Sequence, residues 1–484
     1  MKNKSLKMIN LKKYIIAFVA MIFCFAFLLT GCASVSNVYD KNGNSIYFDE
    51  LVYFQGQIAK IGDYIYYGNS YSDSSSDDFN YSTASSTGYL ARLNVSGKLG
   101  YDYTADEDGY VDPSPANVEK VNGRLTGYQN QNMFALGNYL YFTSANTHRD
   151  SDMQNDYTQV SLFRIKFNGD GLSEIETFRF DENSLLTIRE GSDGNYYYIA
   201  YIPSSSGDSP TYNLYSIKIG NSIGDLRLLA EDVLSIAVCD ENSQVKNIVY
   251  TVNSDRTTHA TTAVRGVDFA TGEITEYGNN TEVTGSTIEM KGRSGDIVFY
   301  SYQTTVMPAQ IYYKVLKSDG TGDDQYFSGT ESRWFYNAED IEIIGYSNNG
   351  YIFIPSSSSS VMYKKLDQSL EQTQTALLTS SNYSDILFID GDYIYYSNDT
   401  SISRVSVLTR QTETIVTMTS IISGQCGYSD GYIYFYAQLE SDEENSEDSE
   451  SDSSTSDTNY YLYRVQAGVN PDGNTQLMSK VEKP

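Results

Sequence analysis

The chain has 484 residues, of which 62 are acidic and 33 basic, giving a formal charge of −29 at neutral pH. Such a surface repels nucleic acid and anionic lipid headgroups, which argues against a nucleic-acid role, and it attracts cations and basic partners. Tyrosine is the outlier at 45 residues, against one Trp and eight Pro, and with Thr, Val and Ile it favours pleated, half-buried surfaces and so an all-β chain.

The N-terminal stretch carries Lys2, Lys4, Lys7, Lys12 and Lys13 and no acid, and an apolar run from Tyr14 to Leu29 follows. This is the charged and then apolar pattern of a secretory signal, and it is short for a membrane span. It ends in Leu29-Thr30-Gly31-Cys32, which resembles the bacterial lipobox. The resemblance implies that the Cys32 thiol takes a diacylglycerol and that the peptide is cut between Gly31 and Cys32. The competing reading is an uncleaved anchor with an incidental cysteine. Each buried methylene contributes roughly 0.8 kcal/mol, so two or more acyl chains, palmitate among them, hold a protein stably. Without the five lysines, 28 basic residues face 62 acidic ones, a charge of −34. The expected organisation is a signal over 1–31, lipidated Cys32 and a short tether over 32–45, and one β-propeller over 46–484.

The propeller is read from a repeat. A small turn and an aromatic run recur at Gly62-Asp63-Tyr64-Ile65-Tyr66-Tyr67, Gly137-Asn138-Tyr139-Leu140-Tyr141-Phe142 and Gly194-Asn195-Tyr196-Tyr197-Tyr198-Ile199. A weaker copy is Asn247-Ile248-Val249-Tyr250, and further copies begin at Gly295, Asn349, Gly391 and Asp430, making eight. A second phrase follows most of them, as in Leu90-Ala91-Arg92-Leu93, Phe163-Arg164-Ile165, Leu214-Tyr215-Ser216-Ile217 and Tyr463-Arg464-Val465. The cleanest unit predicts four strands, Asp385–Ile389, Asp392–Ser397, Ser401–Val407 and Thr412–Thr417, joined by Gly-, Asp- and Asn-rich turns. Four short strands per repeat predict a β-propeller of eight blades, with seven as the alternative. A blade's second strand is covered on both faces, so it reads as a continuous apolar run rather than an alternation. Ile46–Phe54 is expected to close the ring by joining the last blade, with Thr475–Val481 as the other candidate.

The pairing of Gly-Asp-Tyr-Ile-Tyr-Tyr with Leu-Tyr-Arg-Val resembles bacterial propeller lipoproteins related to the LDL-receptor-related YWTD propeller, a domain of unknown function. The resemblance covers roughly residues 50–484 and implies a binding or scaffolding role with no catalytic residues to carry over. It is weakest around Asn247, and several second phrases lack the Arg.

Insertions fall at one place in the unit. Ser70–Thr87, Thr143–Gln159, Ser204–Thr211, Ser356–Ser360 and the acidic tract Glu440–Asn459 each separate a second from a third strand, so all should emerge at one end of the disc. Variable loops on a rigid scaffold are where binding usually sits, though Ser/Asp/Glu tracts also serve as solvated filler.

Motifs that carry chemistry are few. Gly427-Tyr428-Ser429-Asp430-Gly431 matches a nucleophile elbow in letters, but it falls between two strands, and the two histidines, His148 and His259, precede it. No metalloprotease, Walker or dinucleotide motif occurs, so no catalytic, cofactor or metal-ligating residue is assigned. Asp106-Glu107-Asp108-Gly109 and Asp319-Gly320-Thr321-Gly322-Asp323-Asp324 fail as EF-hand loops and leave only weak calcium binding open. Cys239 and Cys426 are expected to be unpaired thiols on opposite sides of the ring. The expected function is a membrane-anchored, extracellular binding module engaging a protein or cell-wall glycan. The alternatives are a carbohydrate-active hydrolase or lyase using propeller carboxylates, and an envelope assembly factor.

Overall fold

The structure is a computed structural model that describes residues 38, 45–54, 56, 58–68, 89–95, 118–124, 133–149, 156–181, 184–204, 212–238, 246–255, 260–277, 287–294, 297–303, 311–317, 341–347, 350–355, 358–365, 375–421, 426–438, 460–468 and 475–480. Every regular element among them is a strand.

A leading strand, β1 (Phe48–Phe54), precedes the repeats. The first sheet is β2 (Ile58–Ile61), β3 (Tyr64–Gly68), β4 (Tyr89–Asn94) and β5 (Val118–Arg124). The second is β6 (Met133–Gly137), β7 (Tyr139–Arg149), β8 (Asp156–Lys166) and β9 (Ser173–Phe180). One seven-stranded sheet follows, from β10 (Leu185–Glu190), β11 (Tyr196–Pro203), β12 (Tyr212–Ile219) and β13 (Leu226–Ala237) to β14 (Asn247–Asp255), β15 (Ala260–Asp268) and β16 (Ile274–Tyr277). A three-stranded sheet holds β17 (Thr287–Ser294), β18 (Ile297–Gln303) and β19 (Ile311–Lys317). Next come β20 (Ile341–Ser347), β21 (Gly350–Pro355), β22 (Val361–Lys365) and β23 (Thr375–Leu378). The seventh unit is β24 (Asp385–Asp390), β25 (Tyr393–Ser397), β26 (Ser401–Ser406) and β27 (Thr412–Thr417). The last is β28 (Gly427–Ser429), β29 (Tyr432–Gln438), β30 (Tyr460–Gln466) and β31 (Gln476–Lys480). The seventh unit matches its predicted strands to within one residue.

The aromatic phrases occupy β3, β7, β11, β14, β18, β21, β25 and β29, the second strand of each unit. Their continuous apolar character has the expected cause. On β3, Ile65 and Tyr67 pack into a cluster with Tyr434, Tyr436, Leu462 and Met478 of the last sheet. Tyr66 between them points the other way, to Met133, Ala135, Leu140 and Ile165 of the second. Alternate side chains thus meet two different neighbours, and each fully buried one contributes about 2 kcal/mol. The same arrangement joins the second unit to the third, the sixth to the seventh and the seventh to the eighth. Because the first and last sheets also pack face to face, the sheets follow one another around a ring, which is a β-propeller.

The middle of the chain explains its poorly legible repeat. β13 pairs with β12 from Leu226 to Val233 and with β14 from Val233 to Ala237, and Asp232, just before the residue that both ladders share, has a φ of 53°. Flat strands lie 4.7–4.9 Å apart, so β11 and β14 would not touch. Yet Ile199, Tyr201 and Leu214 share a cluster with Ile248, Tyr250 and Val267. The sheet therefore folds over at Asp232, and its halves pack as separate units do elsewhere. β13 serves as the fourth strand of one and the first of the next. The eight phrases sit on seven sheets for this reason.

Two expectations are corrected. β1 does not join the last sheet; it pairs antiparallel with β6, Phe48 opposite Gly137 and Phe54 opposite Met133. The last sheet is completed by β31, paired with β30, and the ring closes through side-chain packing between β2–β5 and β28–β31. Most of Thr143–Gln159 is strand rather than loop, because the β7–β8 ladder continues out to Arg149 opposite Asp156, with residues 150–155 outside the described residues. Ladder hydrogen bonds need no apolar side chains, so a polar run extends a hairpin as well as an apolar one.

Candidate functional site

Each meander alternates direction, so turns between first and second strands and between third and fourth share one end of the ring. Second-to-third connections leave from the other. Turns at the first end are mostly short, the β4–β5 connection over residues 95–117 being the long exception. Backbone bonds there repeat from unit to unit: Val95 donates to the Asp63 carbonyl, Phe167 to Asn138, Val407 to Asp392 and Ala467 to Gly431, at 2.7 to 3.2 Å. The opposite end carries the insertions. Ser70–Thr87 lies between β3 and β4, Ser204–Thr211 between β11 and β12, Ser356–Ser360 between β21 and β22, and Glu440–Asn459 between β29 and β30. The extended β7–β8 hairpin leaves from this end as well. Apart from Ser204 and residues 358–360, those four insertions lie outside the described residues.

The polar residues of the repeat form clasps between sheets. Arg92 on β4 is fully buried, with its guanidinium 4.3 Å above the Tyr64 ring. It donates to Glu119 of β5 at 2.7 and 2.9 Å and crosses to the Phe167 carbonyl of the second unit at 3.0 Å. The Tyr66 hydroxyl donates to that same carbonyl at 2.6 Å. One unit on, Arg164 lies 4.4 Å above Tyr139 and donates to the Gly220 carbonyl of the third unit at 2.8 Å. In the seventh, Arg404 stands over Tyr393 at 4.1 Å, binds Glu413 at 2.7 Å and abuts Gly468 of the eighth. In the eighth, Arg464 stands over Tyr432 at 4.5 Å. Ser216 takes the Arg position in the third unit, where its hydroxyl donates to the Phe269 carbonyl at 3.1 Å. Burial raises the Tyr66, Tyr141 and Tyr434 hydroxyls. Tyr434 is pushed up to about 12, although Arg464 beside it pulls the other way.

The ring-closing junction adds further contacts. Lys60 of β2 pairs with Asp430 in the β28–β29 turn. The Tyr436 hydroxyl donates to the Gly68 carbonyl at 3.0 Å. Gly56, at a φ of 77°, lies so close to the Cys426 carbonyl that a Cβ would sit 2.3 Å from it.

The residues singled out in the sequence fall as follows. Cys32 and the Gly31–Cys32 bond lie outside the described residues, as do Cys239, His259 and both acidic turns at Asp106 and Asp319. In chain order the Asp106 turn falls between β4 and β5. Ser429 ends β28 opposite Tyr432, and Asp430 and Gly431 between them have φ of 53° and 77°. That is a tight hairpin turn with both central residues left-handed, not a strand-to-helix elbow. His148 is in β7. Cys426 is a free thiol, pushed up to about 12 by burial and so poorly nucleophilic. Among the described residues no three His, Cys, Asp or Glu side chains are grouped to hold a metal ion. Sequence reasoning noticed the Arg of the second phrase without assigning it a task. The signal was there: a Tyr opens the second strand, the Arg is on the third, and Glu119 or Glu413 is on the fourth.

No protein-family model and no curated protein sequence matches the chain. Among solved structures it is similar to the β-propeller domain of the Trilobed protease from Pyrococcus furiosus, at 8% identity and a TM-score of 0.34, covering 72% of this chain and 93% of that one. It is similar to prolyl oligopeptidase B from Galerina marginata at 11% identity and a TM-score of 0.38, covering 71% of this chain and 51% of the enzyme, about half its length. An oligogalacturonate lyase is similar at 10% identity and a TM-score of 0.34, covering 61% and 93%. At such identities the likeness concerns the fold alone.

Proposed function

We propose that the protein is a binding module held to the outer side of the cell membrane of a Gram-positive host by lipid on Cys32. It engages a protein or cell-wall glycan through the loop-rich end of an eight-bladed ring, without turnover. The observation that carries this reading is the gathering of insertions from the first, third, sixth and last units at one end of a rigid scaffold. The Arg, Tyr and Glu groups described above are engaged between sheets, where they hold the ring together. The tract Glu440–Asn459 contains nine acids and no base, so a ligand with basic groups suits this end.

The test immobilises the chain from Ala33 and captures from the host's envelope and secreted fractions in moderate salt, beside a bait lacking Glu440–Asn459. One partner retained by the full bait and lost by the shorter one supports the reading. Retention of nothing specific, together with glycan cleavage in a hydrolysis screen, would replace it with the hydrolase or lyase alternative.

A further inference from the structure

We infer that β1 runs inside the central channel and fixes how the ring sits on its membrane, with the tight-turn end toward the bilayer and the loop-rich end away from it. This rests on the lipid anchor proposed above.

First strands line the channel of a propeller. β1 pairs with β6, the first strand of its unit, on the side away from β7. It also touches β2 and β28, the first strands of the first and last units. Its two faces serve two junctions: Phe48, Val52 and Phe54 join the cluster between the first and second units, and Leu51 and Tyr53 join that between the second and third. The Tyr53 ring meets Phe134 edge-on at 4.8 Å.

The direction follows from the register. Phe48 lies opposite Gly137 at the tight end, and Phe54 opposite Met133 at the loop-rich end. The chain therefore enters from the tight end. Its preceding residues are docked there: Phe48 meets Phe167 edge-on at 5.8 Å, the Tyr47 ring lies beside Gly137, and Ile46 donates to the Val38 carbonyl at 3.2 Å. Val38 is itself buried in the first cluster. Only five residues, 33–37, then separate the docked chain from Cys32, and the six steps from Cys32 to Val38 reach at most about 20 Å. A ring on so short a leash cannot turn its far end to the lipid. The acids of the tight end, among them Asp63, Asp193 and Asp390, do not oppose this. Repulsion from anionic headgroups is screened beyond about 8 Å at physiological salt.

The test uses the full lipidated chain with Cys239→Ser and Cys426→Ser, reconstituted in vesicles of zwitterionic lipid with a headgroup energy acceptor. A donor is placed by Glu273→Cys in the β15–β16 turn, or by Thr400→Cys in the β25–β26 turn; both residues are exposed, at opposite ends. Seven-residue strands put about 23 Å between the ends, so transfer from position 273 should exceed that from 400 about two-fold or more. Inserting about 20 Gly/Ser residues after Ser36, a coil spanning about 25 Å, should abolish the difference. Equal transfer from both positions in protein that floats with the vesicles overturns the inference and leaves the anchor standing. Failure to float, or floating that survives Cys32→Ala, overturns the lipid anchor and the inference with it.

Discussion

The third and fourth units share a strand, whereas the first and last meet with nearly the whole chain between them. At the shared strand, β13, ladder hydrogen bonds on both edges fix one unit against the next; Ser216 stands in place of the Arg, Arg227 donates to the Ala270 and Thr271 carbonyls and Lys246 pairs with Glu190. At the closing junction no backbone ladder crosses. There the first and last units meet through the Lys60–Asp430 pair, the Tyr436–Gly68 bond and the close approach of Gly56 to Cys426. Both junctions carry side-chain contacts, but at the closing one they act without a backbone ladder, so substitutions at the two junctions should differ in cost.

The largest effect is expected at Gly56. A side chain there meets the Cys426 carbonyl and a left-handed backbone, and strain of that kind costs about 1–3 kcal/mol before the clash is added. Gly56→Val should lower the unfolding free energy measured in urea by about 3 kcal/mol or more. Arg92→Met comes next. It strips Glu119 of its partner and leaves the Phe167 carbonyl to Tyr66 alone, and a loss of about 2 kcal/mol is expected, less than for a fully buried pair because Glu119 is partly exposed. Tyr436→Phe should cost about 1 kcal/mol, the worth of one buried hydrogen bond. Ser216→Ala, at the junction with a continuous strand, should cost about 0.5 kcal/mol, the low end of that range. If Ser216→Ala equals or exceeds Tyr436→Phe in denaturant melts, the contrast between the junctions is wrong.

The smallest effect is in alkali, and two groups oppose one another. Burial lowers Lys364 to about 8, below its unfolded value, so its penalty is full below pH 8 and is relieved as pH rises toward 10.5. Burial raises Tyr197, Tyr428 and Tyr434 to about 12, so the folded state keeps protons that the unfolded state loses above pH 10. Melting temperature should hold or rise slightly from pH 8 to 10 and fall beyond. Phenolate absorbance from these tyrosines should appear with unfolding rather than before it.

Much of the fold was legible because a second strand buried on both faces leaves a plain mark, as Tyr64–Tyr67 and Tyr393–Tyr396 do. The strands of the seventh unit could be placed because Asp390-Gly391 and Asn398-Asp399 punctuate them. β13 escaped because Glu231 and Asp232 bend a strand without ending it. The pairing of β1 escaped for another reason: its composition suits any open edge, and only the assembled channel selects β6. Of the candidate site, the positions of the insertions were readable from spacing. The clasps were not, since a Tyr–Arg–Glu set spread over three strands becomes a unit only when the sheet brings them together.

The loop-rich end exists as one surface only if the ring is closed, since closure alone sets Ser70–Thr87 of the first unit beside Glu440–Asn459 of the last. Zero-length carbodiimide coupling tests this directly. It should yield a peptide joining Lys60 to Asp430, alongside the Lys246–Glu190 product expected at 2.8 Å within the seven-stranded sheet. Recovery of the Lys246–Glu190 product without the Lys60–Asp430 one would contradict a closed ring.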